Sequence, residues 1–357
     1  MKILFFISNL KGKGGAERAL CGIANEFQRN GYDVTILVEH GKKDEVAYEL
    51  LSDIHYRFVP NNKKNNNIFE HSIQIRNIIL NEIKPDIVIS FLALSNIRLL
   101  TAIKKRGIPI VVCERNNPVT DPTSKIKQIL RNYLYKYANH IIVQTQDAKK
   151  YFSKNLQDKI TIIPNFVDCE KLPQFFEVNR KKKIVSVGRL SKQKNQQLLI
   201  DAFCTSDAIS KGYELIIYGT GNLYKELKKK IIENKVEDKI YIHNPIDNLL
   251  ETIKSDEIFI LSSDYEGMPN VLIEAMCLGM ACISTNCPCG GPEYLIEDHI
   301  NGILIPVGKK EEMVRAINEL INDEKLRLKL GNNAIKIREK LSLKKIFKIW
   351  EKTVINL

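Results

Sequence analysis

Ile258-Phe-Ile-Leu-Ser-Ser-Asp-Tyr-Glu-Gly-Met-Pro-Asn-Val-Leu-Ile-Glu274, continued by Ala275-Met-Cys-Leu-Gly-Met-Ala-Cys-Ile-Ser-Thr285, reads as strand, loop, helix, strand. The apolar runs 258–262 and 281–285 have the length and composition of buried strands. Pro269 suits the first turn of a helix, where its missing N–H costs nothing, and the residues from Asn270 onward are mostly apolar helix formers. Glu274 then falls one turn into the helix and Glu266 on the loop before it. Amides of Gly267, Met268 and Asn270 at the helix start offer donors and a positive dipole end to a diphosphate. The two carboxylates are left for hydroxyl groups. By spacing alone they are equally surface acids beside a buried helix; the flanking strands favour a ligand site, since such sheets bind ligands beyond the carboxyl ends of their strands.

Outward from this unit the same alternation recurs. The first half predicts strands at 3–8, 33–38, 87–91, 108–113, 140–143 and 160–163, with helices at 16–28, 68–83, 96–106 and 125–137. After a polar stretch at 168–183 the pattern restarts. Strands are predicted at 184–187, 214–218, 240–242, 258–262, 281–285 and 302–305, and helices at 195–203, 223–233, 248–254, 269–278 and 310–322, before a last helix at 343–356. Strands alternating with helices predict parallel sheets covered on both faces. The chain is therefore α/β, with two Rossmann-like domains, 1–170 and 171–342, and a final helix, 343–357. A ligand is expected in a cleft where the strand ends of the two domains face each other. The run Asn61-Asn-Lys-Lys-Asn-Asn-Asn67 reads as a solvent loop.

Length and composition agree with two cores. The chain has 357 residues, 44% of them hydrophobic, against the roughly 100–200 residues of an ordinary domain. No apolar run approaches the roughly 20 residues of a membrane span, and Ile3–Ile7 is too short for a signal sequence, so a cytoplasmic protein is expected. The eight cysteines are scattered in mostly apolar segments and read as reduced and mostly buried. Cys287-Pro-Cys289 has no second Cys/His pair at zinc spacing, so no metal is assigned. The net charge of +12 is concentrated early: 26 Lys and Arg face 17 Asp and Glu through residue 171, against 28 and 25 thereafter. Such a balance suits nucleic acid, an anionic membrane surface or a diphosphate-bearing substrate, and equally a solvated lysine-rich surface.

Three further motifs fall at predicted strand ends. Gly12-Lys-Gly-Gly15 with Ala16-Glu17-Arg18 follows the first strand, where glycine lets backbone approach a phosphate or simply closes a tight turn. It lacks the spacing of a Walker loop and of a dinucleotide fingerprint. Gly188-Arg189-Leu-Ser-Lys-Gln-Lys194-Asn195 opens the second domain. Arg189 can bind a diphosphate bidentately and Lys194 can add a point charge, together stabilising a departing nucleoside diphosphate. Tyr218-Gly219-Thr-Gly221 ends the next strand and either borders a nucleotide or serves a turn.

These residues carry a resemblance. Glu266 to Glu274 is similar to the E-x7-E motif of the family-4 retaining glycosyltransferases. Gly14-Gly-Ala-Glu-Arg18, Ile162-Ile-Pro-Asn-Phe-Val-Asp168, Gly188-Arg-Leu with Lys194-Asn195, Tyr218-Gly-Thr-Gly221, Glu266-Gly-Met-Pro-Asn270 and Gly291-Pro-Glu293 stand in that family's order. The N-terminal half also resembles bacterial enzymes that extend lipid-linked oligosaccharides or capsule repeats, N-acetylgalactosaminyltransferases among them.

The resemblance implies a GT-B fold, with two facing Rossmann-like domains, a deep interdomain cleft and the nucleotide sugar held mainly by the C-terminal one. The last helix, with Trp350, is expected to cross back to the first domain. It implies that Glu274 binds the ribose hydroxyls, that Arg189 and Lys194 bind the diphosphate, and that Glu266 and the amides of Gly267 to Asn270 hold the donor sugar and phosphates. Met268, Pro269, Val271, Gly219, His243 and Asn244 join the nucleotide-sugar contacts, and Gly14 and Gly15 approach the phosphates. Transfer from a UDP-sugar with retention is expected, with no cofactor and no metal, since Arg189, Lys194 and a helix start neutralise the leaving group; a GDP-mannose donor is the alternative. Where many relatives have a histidine near the donor sugar, this chain has Val112-Cys-Glu-Arg-Asn-Asn-Pro118. Arginine is no general base at neutral pH, so Glu114 and Arg115, with Glu17 and Arg18, are acceptor or sugar contacts, or else a salt-bridged strand end.

The acceptor is expected to be a lipid-linked or polysaccharide glycan. Lys125-Ile-Lys-Gln-Ile-Leu-Arg-Asn-Tyr-Leu-Tyr-Lys-Tyr137 is basic and amphipathic, fit to lie on anionic lipid at the inner face of a membrane, or to pack by its apolar face. A nicotinamide-dependent oxidoreductase would leave Glu266 and Glu274 unexplained. A nucleic-acid binder accounts for the charge and for none of the ordered motifs, so no nucleic-acid partner is expected.

Overall fold

In a computed structural model, the structure describes residues 1–12, 14–41, 46–60, 68–174 and 180–357. The asparagine-rich run 61–67, Lys13 of the glycine turn, and residues 175–179 of the polar stretch lie outside them. The chain forms two compact units, Met1–Phe166 with Leu343–Leu357, and Val167–Ser342.

In the first unit the strands are β1 (Lys2–Ile7), β2 (Asp33–Val38), β3 (His55–Phe58), β4 (Ile87–Phe91), β5 (Ile110–Cys113), β6 (His140–Val143) and β7 (Ile160–Ile162). They form a parallel sheet in the order β3-β2-β1-β4-β5-β6-β7. Every residue of β4 is buried, as befits a strand covered by helices on both faces. Helix Gly15–Arg29 buries Ala16, Ala19, Leu20, Ile23, Ala24 and Phe27, an apolar stripe at helical spacing. Helix Leu343–Ile355 completes this core: Phe347 meets Phe27 edge-on, and Trp350 stacks on Phe91 with ring centres 5.7 Å apart.

In the second unit β8 (Lys181–Val187), β9 (Glu214–Tyr218), β10 (Ile240–His243), β11 (Asp256–Leu261), β12 (Ala281–Thr285) and β13 (Ile303–Ile305) form a parallel sheet. Its order is β10-β9-β8-β11-β12-β13. In each unit the strand order reverses direction beside the first strand, at β1/β4 and at β8/β11. Such switch points are where doubly wound sheets open a crevice for ligands.

Several elements differ from expectation. Strand β3 was not foreseen, because His55-Tyr-Arg-Phe58 is a short edge strand with half its residues exposed and no apolar run. The helix expected at 68–83 is α-helical over Ile68–Asn77 and π-helical over Ile78–Ile83. The segment 125–137 is a helix over Lys125–Leu134 followed by a 3-10 turn, Tyr135–Tyr137. The helix expected from Pro269 spans Asn270–Cys277, with Pro269 as an extended cap whose carbonyl accepts from the amides of Leu272 (3.2 Å) and Ile273 (3.3 Å).

Candidate active site

Two turns meet at the β8/β11 switch point of the second unit. The turn after β8 carries Arg189 and Lys194 and ends on Asn195, left-handed in its backbone (φ 45°), whose side-chain Oδ1 caps helix Gln196–Thr205 by accepting from the Leu198 amide. The turn after β11 carries Ser262 to Glu266. The Asp264 amide donates to the Gln193 carbonyl at 2.8 Å, and Asn195 Nδ2 donates to Asp264 Oδ1 at 2.8 Å. Ser262 Oγ donates to the Lys194 carbonyl at 2.8 Å, and Gln193 Nε2 to the Tyr265 carbonyl at 3.0 Å. Asp264 is thus used in joining the turns.

On this frame Lys194 Nζ lies 2.5 Å from Glu266 Oε1, which also accepts from Ser263 Oγ at 2.7 Å. Glu266 is 8% exposed, and Thr285 Oγ1 holds the Ser263 carbonyl at 2.5 Å. The backbone of Glu266 is fixed too: its amide donates to Pro288 and its carbonyl accepts from Cys289, both at 2.7 Å. Burial, reinforced by the Glu266 charge, pushes the Cys287 thiol up to about 12, so it stays protonated.

Backbone contact between turns explains the glycines. A side chain on Gly219 would overlap the Gly188 carbonyl, one on Gly221 the Leu190 carbonyl, and one on Gly291 the Gly267 carbonyl. Gly219 is therefore accounted for by packing. Gly291 opens a short helix, Gly291–Leu295, and presses it against the loop of Glu266.

The other sequence candidates of this unit lie along the same carboxyl edge. Arg189 is exposed, and its carbonyl accepts from Gln196 Nε2 at 3.0 Å. Gly267, Met268, Pro269, Asn270 and Val271 run from the Glu266 loop into helix Asn270–Cys277, where Glu274 is half-buried in the second turn. His243, at the end of β10, is exposed and lies 5.5 Å from the Tyr218 ring, with exposed Asn244 after it. Ser191 is a residue the sequence reading missed. Its buried Oγ has no hydrogen-bond partner among the described residues, in the turn that carries Arg189 and Lys194. A serine between two basic residues was its only signal.

The first unit carries its own candidates. Gly14 precedes helix Gly15–Arg29, its carbonyl accepting from the Arg18 amide at 3.1 Å and from Tyr48 Oη at 3.2 Å. The Glu17 carboxylate folds back over Gly14, and burial raises its pKa. After β5, Glu114 is buried; Tyr135 Oη donates to its Oε1, and Arg131 Nη1 lies 3.7 Å away. Burial pushes Glu114 up to about 7, against the lowering effect of Arg131 and Tyr135. Arg115 does not pair with Glu114. It donates to Asn165, and burial lowers it to about 10. The salt-bridged strand end therefore describes Glu114 and not Arg115. A polar cluster unseen in the sequence lies after β2, where buried Glu39 accepts from Arg98 at 2.5 Å and pairs with His71 at 2.7 Å.

Helix Lys125–Leu134 buries Arg131 and Leu134, while Ile126 (79% exposed), Ile129 (71%), Leu130 and Tyr133 form an exposed stripe. Among the described residues, that stripe is not packed. Among the described residues, no helix is long and apolar enough to cross a membrane.

Residues 13–171 match the model described as glycosyltransferase family 4, and residues 169–337 match that of glycosyl transferases group 1. An uncharacterized glycosyltransferase of Methanocaldococcus jannaschii is 30% identical, with 76% of this chain and 80% of the relative covered. The GalNAc-alpha-(1->4)-GalNAc-alpha-(1->3)-diNAcBac-PP-undecaprenol alpha-1,4-N-acetyl-D-galactosaminyltransferase of Campylobacter jejuni is 27% identical over 99% of this chain and 98% of its own. Among solved structures, HepE of Anabaena in complex with UDP superposes with a TM-score of 0.83 at 17% identity, covering 100% of both chains. The lipopolysaccharide outer core galactosyltransferase WaaB gives 0.80 at 21%, covering 100% of this chain and 99% of its own. The chain therefore belongs to the glycosyltransferases, with a family 4 domain in its first half, a group 1 domain in its second, and the two Rossmann-like domains of the GT-B fold.

Proposed function

We propose that this glycosyltransferase moves a hexose or N-acetylhexosamine from a UDP-sugar to a lipid-linked or polysaccharide glycan acceptor, with retention at the anomeric carbon. The observation that carries the reading is the Lys194–Glu266 pair at the switch point of the second sheet, on the turn that also carries Arg189. A cation for the leaving diphosphate and a carboxylate for the sugar stand on one rigid frame, which is how a charge-separating transfer is stabilised. Glu274 takes the ribose hydroxyls. Arg189 and Lys194 take the diphosphate, with Ser191 Oγ as a further donor. Glu266 and the backbone from Gly267 through Asn270 and Val271 hold the transferred sugar, while Gly219, His243 and Asn244 border the nucleotide. In the first unit Gly14 and Gly15 present backbone to a phosphate, and Glu17, Arg18, Glu114 and Arg115 serve the sugar or the acceptor.

The bond from the anomeric carbon to the UDP oxygen breaks through an oxocarbenium-like, same-face displacement, the acceptor hydroxyl oxygen bonds to that carbon on the face UDP leaves, and its proton passes to the departing diphosphate. The departing charge falls on Arg189, Lys194 and the start of helix Asn270–Cys277, so the reaction needs no metal and no cofactor. The donor reading draws support from a neighbour crystallised with UDP, and the acceptor reading from relatives whose names specify diphosphoundecaprenol-linked acceptors.

The acidic-lipid face is assigned to helix Lys125–Leu134. Ile126, Ile129, Leu130 and Tyr133 recur at i, i+3, i+4 and i+7, and Lys104, Lys105 and Lys136 cluster on the rings of Tyr133 and Tyr137. The run 125–137 contains no acidic residue. An apolar stripe ringed by lysines is the composition of a surface-lying helix on anionic lipid. In this reading the protein works at the inner face of the cell membrane, and the exposed stripe with its lysines is what supports it.

The test is a thermal-shift panel of UDP, GDP and ADP with Glu274→Ala alongside. UDP is expected to give the largest shift by mass action. Glu274→Ala should weaken UDP binding about 10-fold or more, the equivalent of a charge-assisted hydrogen bond. A dominant GDP shift would replace the donor, and an unchanged affinity in the variant would remove the role of Glu274.

A further inference from the structure

Arg115 follows β5 and is 7% exposed. One nitrogen, Nη2, is held by Asn165 Oδ1, an oxygen that also accepts from Gln144 Nε2 at 2.5 Å. The guanidinium carbon lies 5.7 Å from the centre of the Phe91 ring. Nε and Nη1 have no hydrogen-bond partner among the described residues, and no carboxylate among them forms an ion pair with Arg115. The adjacent Glu114 is engaged elsewhere, by Tyr135 and Arg131.

A buried cation without a counter-ion, and with donors left unmade, is among the costliest arrangements in a folded chain. Asn165, itself held by Gln144, orients the guanidinium without neutralising it. Arg131, buried in the same unit, has the counter-charge that Arg115 lacks: it lies against Glu114, bonds the Asp121 carbonyl at 2.5 Å and lies over the rings of Tyr151 and Phe152, although its Nη2 too has no hydrogen-bond partner among the described residues. An anion supplied from outside would complete Arg115 in the way Glu114 helps to complete Arg131.

We infer that Arg115, held by Asn165, forms a binding site for an anionic group, a phosphate or a carboxylate, in the first unit. Its assignment to the acceptor rests on the proposed function. The group is then either the diphosphate of a lipid-linked acceptor or the carboxylate of an acidic sugar.

The experiment is a melting series on the full chain, Arg115→Gln and Arg115→Met, with inorganic pyrophosphate or glucuronate added, with and without saturating UDP. UDP fills the phosphate-binding turn of the second unit, so a further anion shift reports another site. The wild-type chain is expected to gain stability from at least one anion on top of UDP, while both variants keep the UDP shift and lose the anion shift. Without anion, Arg115→Met should melt at or above the wild type, because an uncompensated charge is gone. A response to pyrophosphate alone identifies the diphosphate source, and one to glucuronate alone the acidic sugar. The site is refuted if neither anion stabilises the wild type or if the variants respond as it does. It is equally refuted if both variants melt well below it or do not fold, for Arg115 is then structural. Absence of any UDP shift would sink the proposed function instead, and the anion series without UDP still decides this site.

Discussion

Lys194 and Glu266, 72 residues apart in sequence, are joined through Nζ and Oε1 at 2.5 Å, and Ser263 shares the same carboxylate oxygen. The lysine is thereby held at a defined place on the turn, its charge partly matched by a buried acid. A phosphate reaching this turn competes with Glu266 for Lys194. Glu266→Gln should lower the rate of UDP-sugar turnover by about 100-fold or more, the scale of losing one electrostatic group at a reacting centre. UDP affinity should hold or rise, because Lys194 is released to the diphosphate. Lys194→Ala should weaken UDP about 10-fold or more. Calorimetric UDP titrations of both variants check the pair; equal weakening in both would mean that Glu266 binds UDP directly.

The glycines of the second unit differ in kind from Gly14. Gly219→Ala and Gly291→Ala place a Cβ into backbone carbonyls, of Gly188 and Gly267, that cannot yield without moving a turn. Each should cost about 1–3 kcal/mol, the range of an overpacked core. Gly14→Ala meets only the end of the Glu17 side chain, which can rotate away. Its cost should stay within about 0.5 kcal/mol. Urea unfolding midpoints compare the three directly.

Trp350 is the single tryptophan and is 1% exposed. Its ring lies parallel to Phe91, within 6°. Phe91→Ala removes the stack and leaves a cavity beneath helix Leu343–Ile355, at a cost of about 3–5 kcal/mol. Tryptophan emission should shift to longer wavelength before global unfolding. An unshifted spectrum with an unchanged midpoint would show that the helix does not depend on this contact.

Two buried acids set a pH dependence. Burial raises Glu114 from 4.5 to about 7 and Asp256 from 3.8 to about 6. Between about pH 4 and 7 the folded chain therefore holds protons that the unfolded chain has released. Their contribution to stability is complete below the unfolded values, falls as pH rises through the window, and levels off above the folded values. Each group contributes at most about 1.4 kcal/mol per pH unit within its window. Denaturation midpoints at pH 5 and pH 8 should differ less in Asp256→Asn than in the wild type; an identical slope would show that Asp256 is ionised throughout.

Removing the apolar stripe tests the lipid face. Ile126→Asn with Ile129→Asn should cut binding to vesicles containing anionic lipid by about 100-fold or more, since each buried isoleucine contributes about 1.5–3 kcal/mol. Melting temperature should hardly change, because both side chains are exposed. Unaltered vesicle binding would leave the lysines alone to explain it.

Much of the fold was legible because its signals are local. The buried run Ile87–Phe91, the apolar stripe of Gly15–Arg29, and the sequence from Glu266 to Glu274 each declare their element within a dozen residues. Strand β3 was not legible, since a short edge strand has no buried run to mark it. The candidate site was legible by residue type and strand end, and illegible in its partners. Nothing near Gly219 in sequence says that its hydrogen faces the Gly188 carbonyl.

The sequence by itself determined the alternation of strands and helices, the α/β class, and the placing of Arg189, Lys194, Glu266 and Glu274 at strand and helix ends, because periodicity and turn chemistry act over a few residues. Only the tertiary structure decided that Lys194 meets Glu266, that Arg115 turns to Asn165 and not to Glu114, and that Ile126 and Ile129 remain uncovered. Those outcomes depend on which strands adjoin at a switch point and which faces find a partner, and such pairings join residues far apart along the chain.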